Sequence, residues 1–195
     1  MKALEIIQYM ESLRDDEQRR VLMGFFKTGP GEYGEGDEFL GLKVPQTREV
    51  VKAVAKDIAL EEVPELLMSK WHEVRLCGLL ILVEKFEKQA TKRFENDAEA
   101  IRKRDEIVAM YLKYAEQANN WDLVDLSVHK ILGHWLMLPT KGLPLTPPEG
   151  KGSFLKDIDY KRQVLDELAA STCLWKQRMS IVCTWKTSQM GDPSW

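Results

Sequence analysis

The sequence predicts an all-α protein built as a solenoid of helical pairs, and two observations carry this prediction. Apolar residues recur at helical spacing along most of the chain, and no segment shows the alternation of a strand. Three similar segments also repeat along the chain. When they are aligned on Arg75, Asp125 and Arg178, they follow each other at offsets of 50 and 53 residues. Repeats of this size are typical of stacked helical pairs.

The N-terminal segment is predicted to form three helices interrupted by one glycine-rich loop. The first has an apolar stripe at helical spacing: Leu4, Ile6, Ile7, Met10 and Leu13. Glu5 interrupts its apolar pattern, so it is expected to be a helix of the fold and not a signal peptide. Acidic residues 15–17 suit the start of a second helix, which runs to about Lys27. Glycines make residues 28–41 a loop, and Pro45 suits the first turn of the third helix, which continues to Val54.

Periodicity predicts six further helices and one long loop. The helices are expected at residues 61–69, 72–87, about 96–117, 121–137, about 154–170 and 174–187. The loop at residues 138–153 contains four prolines and three glycines, which disfavour regular structure.

Composition excludes several classes of protein. No apolar run approaches the roughly 18 residues that cross a bilayer, so no membrane contact is expected. Three scattered cysteines predict reduced thiols in a cytoplasmic protein. The three histidines (His72, His129 and His134) have no ligand spacing, so neither a metal nor a cofactor is expected. With a formal net charge of −3, any phosphate-binding surface is predicted to be a local patch.

The glycine-rich loop contains one misleading motif. Residues 29–34 match the G-x-G-x-x-G pattern of dinucleotide-binding proteins, but a predicted helix precedes them where that fold needs a strand. Four acidic residues nearby would repel a pyrophosphate. We therefore expect no nucleotide site here.

The strongest candidates for chemistry are Trp121 and Asp125. They lie four residues apart, so a helix places them on one face, with an aromatic surface beside a carboxylate. The alternative is a packed Trp and a structural Asp, while Asp122 is the better candidate for a capping or first-turn acid. Arg178 and Arg75 occupy equivalent places in the neighbouring repeats. Each is suited either to bind a phosphate or to pair with an acid of an adjacent repeat.

With these residues identified, the chain resembles the bacterial DNA alkylation repair family, the AlkD-like glycosylases built from HEAT-like repeats. The resemblance lies in four segments: residues 38–42 with Pro45 and Arg48, residues 71–75, residues 121–125, and residues 175–178. It implies one right-handed α-α superhelix of HEAT-like repeats over residues 1–195. The family continues for about one more helical pair, which this chain is expected to lack.

The resemblance also implies roles for individual residues. Asp125 would be the catalytic carboxylate, Trp121 an aromatic wall against the damaged nucleotide, and Arg178 a phosphate ligand. Trp175, Arg75 and, by a looser alignment, Tyr33 would contact DNA. The implied activity is hydrolysis of the N-glycosyl bond of cationic N3- or N7-alkylated purines in double-stranded DNA, without cofactor or metal. The alternative is a non-catalytic HEAT-repeat scaffold that binds DNA, protein or peptide. The sequence does not indicate the oligomeric state.

Overall fold

The protein is described from a computed structural model that covers residues 2–140 and 157–189. Helices dominate these residues, no strand occurs among them, and one isolated bridge joins Glu38 to Trp71. The α-helices are α1 (Ala3–Ser12), α2 (Asp16–Phe25), α3 (Val44–Val54), α4 (Val63–Leu67), α5 (His72–Gln89), α6 (Ala98–Lys113), α7 (Trp121–Leu136), α8 (Asp157–Ala169), α9 (Leu174–Val182) and α10 (Thr184–Gln189). Short 3-10 turns occur at Leu60–Glu62, Lys92–Phe94 and Ala115–Gln117. The all-α prediction is confirmed for these residues, and the superhelix stays a prediction.

The described chain forms two compact units. The first contains residues 1–85 and 117–123, and the second contains residues 86–116 and 124–195. Helix α7 begins in the first unit and continues in the second. None of the described helices is both long and apolar enough to cross a membrane.

In the first unit, α5 is the central element. Residues 71–83 are all buried, as expected for a helix covered on every side. Helix α3 buries Thr47, Val50, Val51 and Val54, the face that its sequence predicts. Helix α1 differs from expectation, because it buries Ala3, Ile6 and Met10 while Leu4 and Leu13 remain exposed.

Helix α2 begins where its acidic residues predict. The Asp15 side chain accepts hydrogen bonds from the backbone N–H groups of Glu17 and Gln18, at 3.0 and 2.9 Å. This N-cap satisfies donors that the first turn leaves without partners. The glycine-rich loop follows α2, so a helix and not a strand precedes the G-x-G-x-x-G pattern.

In the second unit, α7 contributes many buried residues to the core. Val128, Leu132 and Trp135 are buried, and the Lys161 ammonium donates to the carbonyls of Leu136 and Leu138 at the C-terminal end of α7. A Cβ atom at Gly133 would lie 2.6 Å from the Cys183 carbonyl oxygen, so this close approach requires glycine.

The predicted helix at residues 174–187 is interrupted at Cys183, and α10 starts at Thr184. The hydroxyls of Ser180, Thr184 and Thr187 each donate to the carbonyl three residues earlier. Such side-chain bonds compete with the backbone hydrogen bonds of a helix and accompany the break. Most of the loop at 138–153 and the expected first residues of α8 lie outside the described residues.

The cysteines are free thiols. Cys77 and Cys183 are buried, and burial raises the pKa of each thiol to about 12. This confirms the expectation of reduced thiols.

Candidate functional site

The Asp125 carboxylate lies one turn into α7 and is held by an arginine of α9 within the second unit. Arg178 Nε donates to Asp125 Oδ1 at 2.8 Å, and Nη2 donates to Oδ2 at 2.5 Å. The pair is partly solvent-accessible, with 34% of the Asp125 side chain and 40% of the Arg178 side chain exposed. Hydrogen bonding to Asp125 raises the pKa of Arg178 above its usual value. Asp125 and Arg178 therefore form the ion pair that the sequence left open as the alternative to phosphate binding. The pair lies at the protein surface.

Only one edge of the Arg178 guanidinium is occupied by this pair. The group carries five N–H donors, and Asp125 accepts from two of them. Among the described residues, the other three donors have no acceptor. Arg178 is therefore able to hold Asp125 and a second anion at the same time.

Asp125 is followed on the same face of α7 by His129. The His129 Nδ1 atom lies 2.8 Å from the Asp125 carbonyl oxygen, and the ring packs edge-on against Trp185 at 5.6 Å between centroids. Trp185 is 53% exposed. The carboxylate therefore has a histidine, an arginine and an accessible indole on neighbouring turns of α7, α9 and α10.

Trp121 belongs to an aromatic cluster in the first unit. Its ring stacks on Phe26 at 5.5 Å and meets Phe25 edge-on at 6.0 Å. Phe25 is 61% exposed, whereas Phe26 is buried. Neither phenylalanine was predicted from the sequence as part of the site, although an adjacent aromatic pair at the C-terminal end of α2 was a usable signal.

A buried ionic network supports the first turn of α7. His72 Nδ1 lies 2.8 Å from an Asp37 oxygen, and His72 Nε2 lies 2.9 Å from an Asp122 oxygen. Burial by itself would lower the pKa of His72, but the hydrogen bonds and charges of Asp122 and Asp37 outweigh it and raise the pKa to about 9. The imidazole is consequently a cation near neutral pH. Phe39 stacks on the imidazole at 4.3 Å between centroids, and the Phe26 ring contacts it in a tilted arrangement at 5.0 Å.

This network revises two interpretations. Asp122 does lie in the first turn of α7, yet it is buried and pairs with His72. His72 is indeed a core histidine, but it carries a charge and joins the glycine-rich loop to α7. Sequence separations of 35 and 50 residues gave no sign of either contact.

Arg75 is 4% exposed and is surrounded by acceptors within the first unit. Its guanidinium donates to Asp37 and Asn119 and to the carbonyl oxygens of Ser69, Lys70 and Gln117. With this set of partners it has no accessible donor for a phosphate. The geometry therefore favours the structural alternative for Arg75 over DNA binding.

The segment at residues 38–42 is fixed by Glu73. The Glu73 carboxylate accepts hydrogen bonds from the backbone N–H groups of Leu40, Gly41 and Leu42, at 2.8–3.0 Å. Gly41 has φ +95°, and a Cβ there would lie 2.1 Å from the Asp15 carbonyl oxygen. The backbone geometry beside α5 thus requires glycine at position 41 of the Phe-Leu-Gly-Leu segment.

The remaining predicted residues lie at the surface of their own units. Tyr33 is 45% exposed in the glycine-rich loop, and Trp175 is half-buried in the first turn of α9. In the third equivalent segment, Trp71 is buried and its indole N–H donates to Glu11.

A family model for the DNA alkylation repair enzyme matches residues 6–144. The chain belongs to this family. The matched region includes Tyr33, Arg75, Trp121 and Asp125 and ends before Trp175 and Arg178. No curated protein and no solved structure matches the chain significantly. Membership supports an enzyme that acts in the repair of alkylated DNA.

Proposed function

We propose that this protein is a DNA glycosylase that hydrolyses the N-glycosyl bond of purines alkylated at N3 or N7 in double-stranded DNA. The observation that carries the proposal is the Asp125 carboxylate, partly exposed and held in one orientation by Arg178, in a chain of the DNA alkylation repair family. The HEAT-like superhelix, the single domain over residues 1–195 and a cytoplasmic location belong to the same proposal.

The chemistry requires a negative charge beside the sugar. An N3- or N7-alkylated purine is already cationic, so it leaves with the electron pair of the C1′–N bond and needs no general acid. Positive charge then develops on the deoxyribose, as in other glycoside hydrolyses. A carboxylate at about 4 Å with an effective dielectric near 20 stabilises that charge by about 4 kcal/mol. This corresponds to about a thousandfold in rate.

Arg178 affects the electrostatic stabilisation of the sugar cation in two ways. In the free protein, the positive charge of Arg178 offsets the negative charge of Asp125 and reduces the field at the sugar. When a backbone phosphate binds the unoccupied edge of the guanidinium, the phosphate offsets the arginine charge instead. Asp125 then acts on the sugar with more of its own charge. Because Arg178 binds the phosphate and Asp125 at the same time, we propose that it also sets the distance between the phosphate and the carboxylate.

Aromatic groups supply the remaining contacts in this proposal. Trp121, one turn before Asp125, provides the wall against the cationic nucleotide, and the exposed Phe25 ring extends that surface. Trp175 and Tyr33 contribute further DNA contacts. Arg75 takes no part, because its donors are occupied in the core.

Base release from methylated DNA tests the proposal. Full-length protein in excess is incubated with methylated duplex DNA, and free 3-methyladenine and 7-methylguanine are measured by chromatography. We expect release by the wild type and a loss of about a thousandfold in Asp125→Asn. Asp166→Asn, which makes the same change at an exposed position of α8, is the matched control and should retain the wild-type rate.

The Asp125–Arg178 pair also favours a second candidate, a non-catalytic scaffold, because ion pairs between neighbouring helices are common structural elements. In that case methylated DNA loses base only at the spontaneous rate. Asp125→Asn would then lower the free energy of unfolding without changing base release.

A further inference from the structure

Hydrolysis leaves one proton without an assigned acceptor. As the C1′–N bond breaks and its electron pair goes to the purine, a water oxygen bonds to C1′ and must release a proton. Both oxygens of Asp125 already accept hydrogen bonds from Arg178, and the carboxylate is also needed opposite the sugar cation. A second acceptor close to Asp125 would remove this conflict.

His129 has the required position. It lies one turn after Asp125 on the same face of α7, and its Nδ1 is 2.8 Å from the Asp125 carbonyl oxygen. A carbonyl oxygen only accepts hydrogen bonds, so Nδ1 carries the proton and Nε2 keeps its lone pair in the neutral ring. Within the described residues, Nε2 has no hydrogen-bond partner. The side chain is half-buried.

From this geometry we propose that His129 Nε2 accepts the proton of the attacking water while Asp125 stabilises the sugar cation. This inference rests on the proposed glycosylase activity. The step leaves a neutral purine, an abasic site with a hydroxyl at C1′, and a protonated imidazole that returns its proton to solvent.

The surroundings of His129 keep the ring neutral at physiological pH. Burial lowers the pKa of His129 below its usual value, and the charges of Lys130 and Lys186 act in the same direction. The Asp125 carbonyl and Glu87 act in the opposite direction, and Trp185 faces the ring as an uncharged group. A neutral imidazole near neutral pH is the form that accepts a proton.

The substitution His129→Asn separates proton transfer from structure. The Asn amide still reaches the Asp125 carbonyl as a donor, but it provides no basic nitrogen at the Nε2 position. We expect the single-turnover rate of base release at pH 7.5 to fall about a hundredfold, while the dissociation constant for methylated DNA stays within about twofold. His134→Asn, which removes a half-buried imidazole five residues further along α7, should retain the wild-type rate.

The pH profile provides a second readout. The wild-type rate should decrease about tenfold per pH unit once the pH falls below the pKa of His129, and this acid limb should be absent in His129→Asn. Added imidazole should restore activity to His129→Ala in proportion to the concentration of free imidazole base. A purely structural role would produce neither result.

The outcomes distinguish the two proposals. If the wild type releases no base above the spontaneous rate, the glycosylase proposal is wrong and this inference is wrong with it. If the wild type is active and folded His129→Asn keeps its rate and its acid limb, His129 is not the acceptor. Folded His129→Ala that imidazole does not restore leads to the same conclusion.

Discussion

The buried His72 imidazole predicts a protein whose stability decreases as the pH rises above neutrality. The pKa of His72 is about 9 in the folded state, against the ordinary value of 6.5 that applies to the unfolded chain. A raised pKa means that the folded state binds the proton more tightly than the unfolded state does. The stabilisation is therefore fully present below pH 6.5 and is lost as the pH rises through 9. The shift corresponds to about 3 kcal/mol at 1.36 kcal/mol per pKa unit.

Urea unfolding of the wild type and His72→Gln between pH 6 and pH 10 measures this quantity. The difference in the free energy of unfolding between the two proteins should decrease by about 3 kcal/mol across that range. Taking the difference removes the contribution of the buried thiols, which both proteins share. His134→Asn is the control. Burial lowers the pKa of His134, so its contribution changes only at acidic pH. A pH-independent difference would refute the reasoning, since it would show that His72 is neutral in the fold.

Two further substitutions test the geometry around the site. Gly41→Ala should destabilise the fold by at least about 2 kcal/mol in urea unfolding, because the residue has a positive φ and the new Cβ would meet the Asp15 carbonyl. Gly36→Ala, with a similar φ but open space around it, should cost about 1 kcal/mol, and equal effects would contradict the close approach. Arg178→Lys keeps the charge but loses the bidentate contact, so base release should fall about tenfold and Arg178→Ala should also weaken DNA binding. Wild-type release in Arg178→Lys would show that orientation of Asp125 does not matter.

Local signals in the sequence predicted most of the helices correctly. The acids at 15–17 and Pro45 identified helix starts because capping and fixed φ angles depend only on neighbouring residues. The interruption at Cys183 was missed. The hydroxyl hydrogen bonds near Cys183 depend on the rotamers of individual side chains, and the close approach of Gly133 depends on a second helix. The spacing of apolar residues in the sequence reports neither.

The site was predicted less completely, since its interactions join distant parts of the chain. Asp125 and Arg178 were identified as candidates, but their sequence separation of 53 residues did not reveal that they pair with each other. His72 appeared ordinary because Asp37 and Asp122, which determine its charge, come from a loop and another helix. Arg75 shows the limit most clearly. Its equivalence to Arg178 in the repeat suggested an equivalent role, whereas burial gives it a structural one.

The central claim concerns one carboxylate, and a defined substrate tests it most directly. A duplex with a single 7-methylguanine is incubated with excess protein, and strand cleavage at the resulting abasic site is followed after alkaline treatment. The account predicts single-exponential cleavage by the wild type, together with a rate in Asp125→Asn close to that of the DNA alone and normal DNA binding. The account would be contradicted if the wild type, Asp125→Asn and the duplex incubated without protein all gave the same cleavage rate.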